Sequence, residues 1–242
     1  MTQEQQLRID LAAAFRLIHR LDMHESVANH LSAAVSPDGR TFLMNRKWMH
    51  FSNVTASNLQ LLDSSDDSVM QTSQAPDLSA WSIHGNVHAA YAHARVVLHV
   101  HSTYATVLST LKDPRILPID NNTARFYNRI AYDTDFGGIA TSDEEGKRIT
   151  RSIEGKSALM MGNHGITVVG ESVASAFESL YYLEKACKTM VLAYSTGREL
   201  SILSDELAEE TAASWDEFSG AGDAHFEQLK GMLDKEEPDY CE

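Results

Sequence analysis

Histidines 99 and 101 stand in the run Val96-Val97-Leu98-His99-Val100-His101-Ser102. Its neighbours are β-branched or apolar, so the run reads as a buried strand. Residues two apart on a strand point to the same face. The two imidazoles therefore stand side by side, with Leu98 and Val100 on the other face. Two neutral imidazoles on one rigid strand are half of a divalent-metal site. A third histidine follows roughly sixty residues later in Gly162-Asn163-His164-Gly165. Glycines on both sides let the backbone turn tightly and let a ligand come close, so His164 is placed to be a third ligand. An isolated His-x-His is more often a pair of core histidines bonded to backbone carbonyls. The third histidine tips the reading toward metal.

Other chemistry-bearing residues surround these three. A helix is expected from Pro76-Asp77 to about His93, and on it His84 and His88, four apart, share one face. They read as a polar helix face or, beside a metal strand, as ligands or groups that orient ligands. Gly85 inside that helix implies a close neighbour, because glycine there costs about 1 kcal/mol relative to alanine. Asn29 and His30 precede a hairpin, where they either line a pocket or cap the turn. The polar and aromatic stretch 119–129 reads as a loop for substrate contacts or a subunit interface. Glu184 lies inside a long helix, with a salt bridge to Lys188 as its default role.

The elements that must hold these groups follow from periodicity. Leu7, Leu11, Ala14, Phe15, Ile18 and Leu21 recur at helical spacing and predict a helix over residues 6–23. Ser36-Pro37-Asp38-Gly39 is a turn between a short strand and a returning strand near Thr41. A short helix and an edge strand follow by residue 62. A helix is expected after the His99 strand to Leu111, and another over 141–154. Apolar strands at 157–161 and 167–170 flank His164. Ser172 then caps a long helix to Gly197, and two more helices and an acidic tail close the chain. Strands interleaved with helices make an α/β or α+β sandwich.

Composition narrows the function classes. Twenty Lys and Arg against 34 Asp and Glu give a net charge of −14, unsuited to nucleic acid or anionic lipid. The excess acid near the C-terminus reads as solvated surface. No stretch approaches eighteen apolar residues, and the first residues lack a basic and apolar leader pattern. The two cysteines, Cys187 and Cys241, make no disulfide framework. These features lead us to expect a soluble cytoplasmic protein with one domain over 1–242, its core at about 7–200.

His-Val-His-Ser on a strand, Gly-Asn-His-Gly-Ile-Thr-Val-Val-Gly roughly sixty residues on, and a long helix after it resemble the class II aldolase/adducin family. Phe42-Leu-Met-Asn45, Val54-Thr-Ala-Ser57 and Leu61-Leu-Asp63 are similar to its N-terminal part. The resemblance implies a three-layer αβα sandwich with a central mixed sheet, assembled as a homotetramer. It implies His99, His101 and His164 as ligands of a divalent metal, Zn2+ first and Mn2+ or Fe2+ as alternatives. It also implies metal-assisted cleavage of a carbon–carbon bond in a small molecule, by retro-aldol reaction or decarboxylation. The family's proton-transferring glutamate is absent: ungapped counting puts Ala80 there, and a three-residue deletion puts His84. We take His84 as the candidate catalytic group and His88 as a supporting one. The sugar-phosphate pocket of the family is also missing, with Lys47-Trp48 and Ser82-Ile83 at its positions. A tyrosine that the family takes from a neighbouring subunit falls near Asp120 or Asn121. Asn29, His30, Asp120, Asn121 and Arg125 (or Arg129) are the candidate substrate contacts, and a small hydroxy or keto compound is expected rather than a sugar phosphate. The alternative is a non-catalytic, adducin-like metal-binding module.

Overall fold

A computed structural model describes every residue except 137, 139–141 and 219. Seven strands form one mixed sheet: β1 (His30–Ala34), β2 (Thr41–Met44), β3 (Gln60–Asp63), β4 (Val96–Val100), β5 (Ile130–Asp133), β6 (Ala158–Met161) and β7 (Gly165–Gly170). Their order is β3-β2-β1-β4-β7-β6-β5, so the histidine strand β4 is central. Only β5 and β6 run parallel. All five residues of β4 are buried, as a strand covered on both faces requires.

Helices cover both faces, giving the expected αβα layers. On one face lie α1 (Gln3–Arg20), α3 (Thr103–Ser109) and α6 (Val173–Ser195), packed on Leu31, Leu98, Val100, Ile166 and Val168. Thr2 opens α1 with a capping box that it shares with Gln5. On the other face lie α2 (Leu78–Ala90) and α5 (Asp143–Ile153). There the apolar packing is split in two: Val97, Leu159 and Val169 meet α2 and α5, while Ala34, Phe42 and Met44 meet Ala80 and Trp81. Between the two clusters runs a buried polar seam of His30, Ser32, His84, His88 and His99. The neighbour implied at Gly85 is Ser64, whose Cβ would lie 3.3 Å from an added Cβ.

Three expectations change, and one falls partly outside the described residues. Strand β5 was not expected, and it follows a short helix, α4 (Asn121–Ala124), inside the stretch read as a loop. Residue 141, the expected start of α5, lies outside the described residues, and the helix is described from Asp143. Glu184, expected to bridge to Lys188, instead accepts from Ser102 Oγ (2.6 Å), Tyr104 N (2.8 Å) and Ala105 N (3.0 Å), capping α3. The acidic tail is not merely solvated. After α7 (Asp205–Glu217) and α8 (Ala221–Glu236), Glu237 and Asp239 clasp the buried Arg16 guanidinium at 3.1 and 2.7 Å, and Tyr240 is buried. Among the described residues, no helix is long and apolar enough to cross a membrane.

Candidate metal centre

The β1–β4 register sets His30 directly opposite His99, and the β4–β7 register sets Thr167 on His99's other side. His99 Nδ1 lies 3.1 Å from Thr167 Oγ1, whose own proton goes to Met161 Sδ. The threonine oxygen therefore accepts from His99, which puts the His99 proton on Nδ1. His101 Nδ1 lies 2.6 Å from the Glu25 carboxylate, which can only accept. Both histidines are thus held in the tautomer that leaves Nε2 as a bare lone pair. Those two Nε2 atoms are 3.1 Å apart. Two acceptors this close repel unless a cation sits between them, so the donor set fits a divalent metal.

His164 closes the triad, with ring centroids 4.9 Å from His99 and 4.7 Å from His101. One ring nitrogen from each of the three lies within 4.8 Å of the others. The β6–β7 turn that carries it uses Asn163, not a glycine, for its left-handed residue (φ 56°). Gly165 supplies room instead: a Cβ there would come within 2.6 Å of the Val100 carbonyl and 2.9 Å of the His101 ring. Burial lowers the pKa of His99 well below the ordinary value and that of His164 to about 4, with the neighbouring histidines adding to it. Both rings are therefore neutral, as ligands must be.

A hydrogen-bonded chain stands behind this triad. The Ala94 carbonyl accepts from His88 Nδ1 (2.6 Å), so His88 Nε2 accepts from Ser32 Oγ (2.7 Å). Ser32 Oγ in turn accepts from His84 Nδ1, and His84 Nε2 accepts from His30 Nδ1 at 2.7 Å. One carbonyl thus dictates the tautomer of three histidines and leaves His30 Nε2 as the free acceptor. Burial holds His30 (pKa about 3) and His88 (about 4) neutral and pushes His84 down in the same direction. The His30 ring stacks on His99 at 4.8 Å. His30, His99, His101 and His164 all line a cavity of about 240 Å³.

The model of the class II aldolase and adducin N-terminal domain matches residues 9–191, which is more than half of the chain. The protein belongs to the class II aldolase/adducin family. A "Putative aldolase class 2 protein" of Caulobacter vibrioides is 33% identical over 207 residues, covering 86% of this chain and 80% of the relative. The Decarboxylase NovR of Streptomyces niveus is 24% identical, covering 79% and 71%. The crystal structure of an aldolase II superfamily protein from Pseudomonas syringae superposes with a TM-score of 0.89 at 31% identity, covering 100% of this chain and 97% of that one.

Of the two positions counted for the family's glutamate, Ala80 lines the cavity. His84 does not line the cavity; it is fully buried and reaches it only through His30. The candidate catalytic group therefore stands one hydrogen bond behind the cavity lining. Asn29 does line the cavity, with Oδ1 accepting from Glu25 N (2.6 Å) and Nδ2 buried without a partner. Within the chain, Asp120, Asn121 and Arg125 are not brought to the histidines. Asp120 caps α4, and Asn121 gives its carbonyl to Trp215 Nε1. Arg125 lies between the Tyr182 and Trp215 rings, 3.9 Å from Glu178. Arg129 pairs with Glu209 and Asp216.

The spacing of sequence motifs missed Glu25 and Thr167, which fix the ligand tautomers from 76 and 68 residues away. It named Lys47 and Asp77 without bringing them together; they lie 3.7 Å apart in the cavity lining. Burial opposes the charge on Asp77, but hydrogen bonds from Ser79 outweigh it and hold its pKa below the ordinary value. The only local signal was Pro76-Asp77 at a helix start.

Proposed function

We propose that the protein is a metal-dependent carbon–carbon lyase that acts on a small α-hydroxy or α-keto acid. The convergence of two enforced Nε2 lone pairs and a third imidazole at the cavity floor carries this reading. Zn2+ is the first expectation and Mn2+ or Fe2+ the alternatives, all suited to imidazole donors. Bound there, the ion supplies Lewis acidity to adjacent substrate oxygens.

The chain's own residues account for the rest. The unpartnered Asn29 Nδ2 donates to a substrate oxygen. Lys47, the one Lys or Arg among the described lining residues, offers a single positive charge, already shared with Asp77. That suits one carboxylate better than a doubly charged phosphate, and the small cavity fits a small acid. In retro-aldol cleavage the hydroxyl proton passes to His30 Nε2 as the carbon–carbon bond breaks. His84, Ser32 and His88 hold His30 in the accepting tautomer. Burial makes protonated His30 a strong acid, so it returns the proton to the carbon left with the electron pair. His84 is a positioning residue. Among relatives, the Decarboxylase NovR of Streptomyces niveus supports carbon–carbon cleavage with loss of carbon dioxide as the other form of this chemistry. A homotetramer, as in the family resemblance, is the proposed assembly.

The test is a panel of hydroxy and keto acids assayed with metal-loaded protein. His30→Gln should keep its metal and lose about 10²–10⁴-fold in kcat on any active substrate. His84→Gln should keep its metal and lose less. An inactive wild type across the panel, with metal bound, would overturn the lyase and favour the non-catalytic module.

A further inference from the structure

A second group of three histidines lies away from the cavity. His19 is in the last turn of α1, His24 is in the connection to β1, and His50 caps the short helix Phe51–Asn53. Their rings pack edge to face, with centroids 4.9, 5.0 and 4.9 Å apart. His24 Nε2 and His50 Nε2 are 3.2 Å apart, and one ring nitrogen of each of the three lies within 4.8 Å of the others. The dimensions match those of the metal centre almost ring for ring.

Hydrogen bonding accounts for only part of the cluster. His19 Nδ1 and His24 Nδ1 are buried without a partner. Such atoms are rare, and they mark places where an ion or an ordered water belongs. His50 Nδ1 accepts from Ser52 N at 3.3 Å and lies 2.7 Å from Ser52 Oγ; a cation at Nε2 would move the ring proton to Nδ1, where Ser52 Oγ accepts it in place of the longer bond from Ser52 N. Burial and the two neighbouring rings lower the pKa of His24, so that ring stays available as a neutral ligand. His24 also stacks on Phe51, which in turn meets Phe15 edge-on, so the rings rest on the core.

We propose that His19, His24 and His50 form a second site for a divalent cation of the class imidazole prefers, such as Zn2+ or Co2+, with a structural role. The cation would tie the end of α1 to two loops. One continues from His24 into Glu25, which holds His101, and on to Asn29. The other runs from Asn45 through Lys47 and Trp48, all in the cavity lining, to His50. The second site thus steadies the rim of the first without touching its ligands.

Chelator-stripped protein dialysed against Co2+ tests this by stoichiometry and visible absorption. The expectation is two ions per chain in the wild type, one in His24→Gln, one in His50→Gln and one in His101→Gln. If His24→Gln and His50→Gln both bind as many ions as the wild type, the proposal is overturned. A single wild-type ion lost in His101→Gln overturns it as well. A single ion kept in His101→Gln but lost in His24→Gln supports this site and rejects the metal centre instead. Circular dichroism of each variant checks folding. As an independent readout, saturating Zn2+ should raise the melting temperature of His101→Gln by about 5 °C. It should leave the His101→Gln/His24→Gln double variant unmoved, and an equal rise in both would reject the site.

Discussion

In the cavity the Nε2 atoms of His99 and His101 are 3.1 Å apart; at the end of α1 those of His24 and His50 are 3.2 Å apart. The first pair stands on the central strand of a seven-stranded sheet, with each Nδ1 proton assigned by an acceptor, Thr167 or Glu25. The second pair stands on loops, with Ser52 as its single backing partner and two Nδ1 atoms left over. Ring spacing alone does not distinguish them. What differs is the price of assembly: the first triad is preorganised in position and tautomer, whereas the second must settle both when it binds. A preorganised donor set binds more tightly because less freedom is lost on binding.

The comparison breaks most visibly at the ligands. His101→Ala should abolish metal at the cavity and lower kcat/KM by about 10³-fold or more on any substrate found, since Lewis acidity is worth several kcal/mol. Metal content and turnover measured on one preparation check it. Next come the acceptors behind the ligands: Glu25→Gln and Thr167→Val should each weaken Zn2+ at the cavity about 10–100-fold, read by competition with a chromophoric chelator. Ser52→Ala should weaken Co2+ at the second cluster less than about 10-fold and leave the cavity unchanged. A larger effect from Ser52 than from Glu25 would reverse the ranking of the two sites.

A smaller effect separates the buried seam behind the cavity from the loop cluster. His88 has a folded pKa of about 4, below its ordinary 6.5, because burial disfavours its charge. Its share of stability is therefore present above pH 6.5 and is lost as pH falls toward 4. Urea midpoints should fall across that window and fall less steeply in His88→Gln. An unchanged slope in the variant would remove His88 from the account.

Local pattern showed most of the elements and all three histidines of the candidate metal centre. It failed where a role depends on a partner far along the chain. Strand β5 is four residues of edge strand after a polar loop, too short for its alternation to register, and it exists by pairing with β6. Arg16 and the acidic tail are more than two hundred residues apart, and nothing near either one announces the other. Arg125 carried the right charge for a carboxylate but is enclosed by Tyr182 and Trp215. His84 shared a helix face with His88 as expected, yet that face lies deep under β1, where His84 meets His30 instead of the cavity.

By itself the sequence determined which side chains could be ligands, because a period of two on a β-branched run and a histidine between glycines are local facts. It also determined the family and, through that, the layered sheet. Only the tertiary structure decided which nitrogen of each histidine is free. That choice belongs to Thr167, Glu25 and the Ala94 carbonyl, which reach the rings through strand register and the packing of α2 on the sheet. A proton's position on an imidazole follows from whatever acceptor faces it in space, and spacing along the chain carries no information about that.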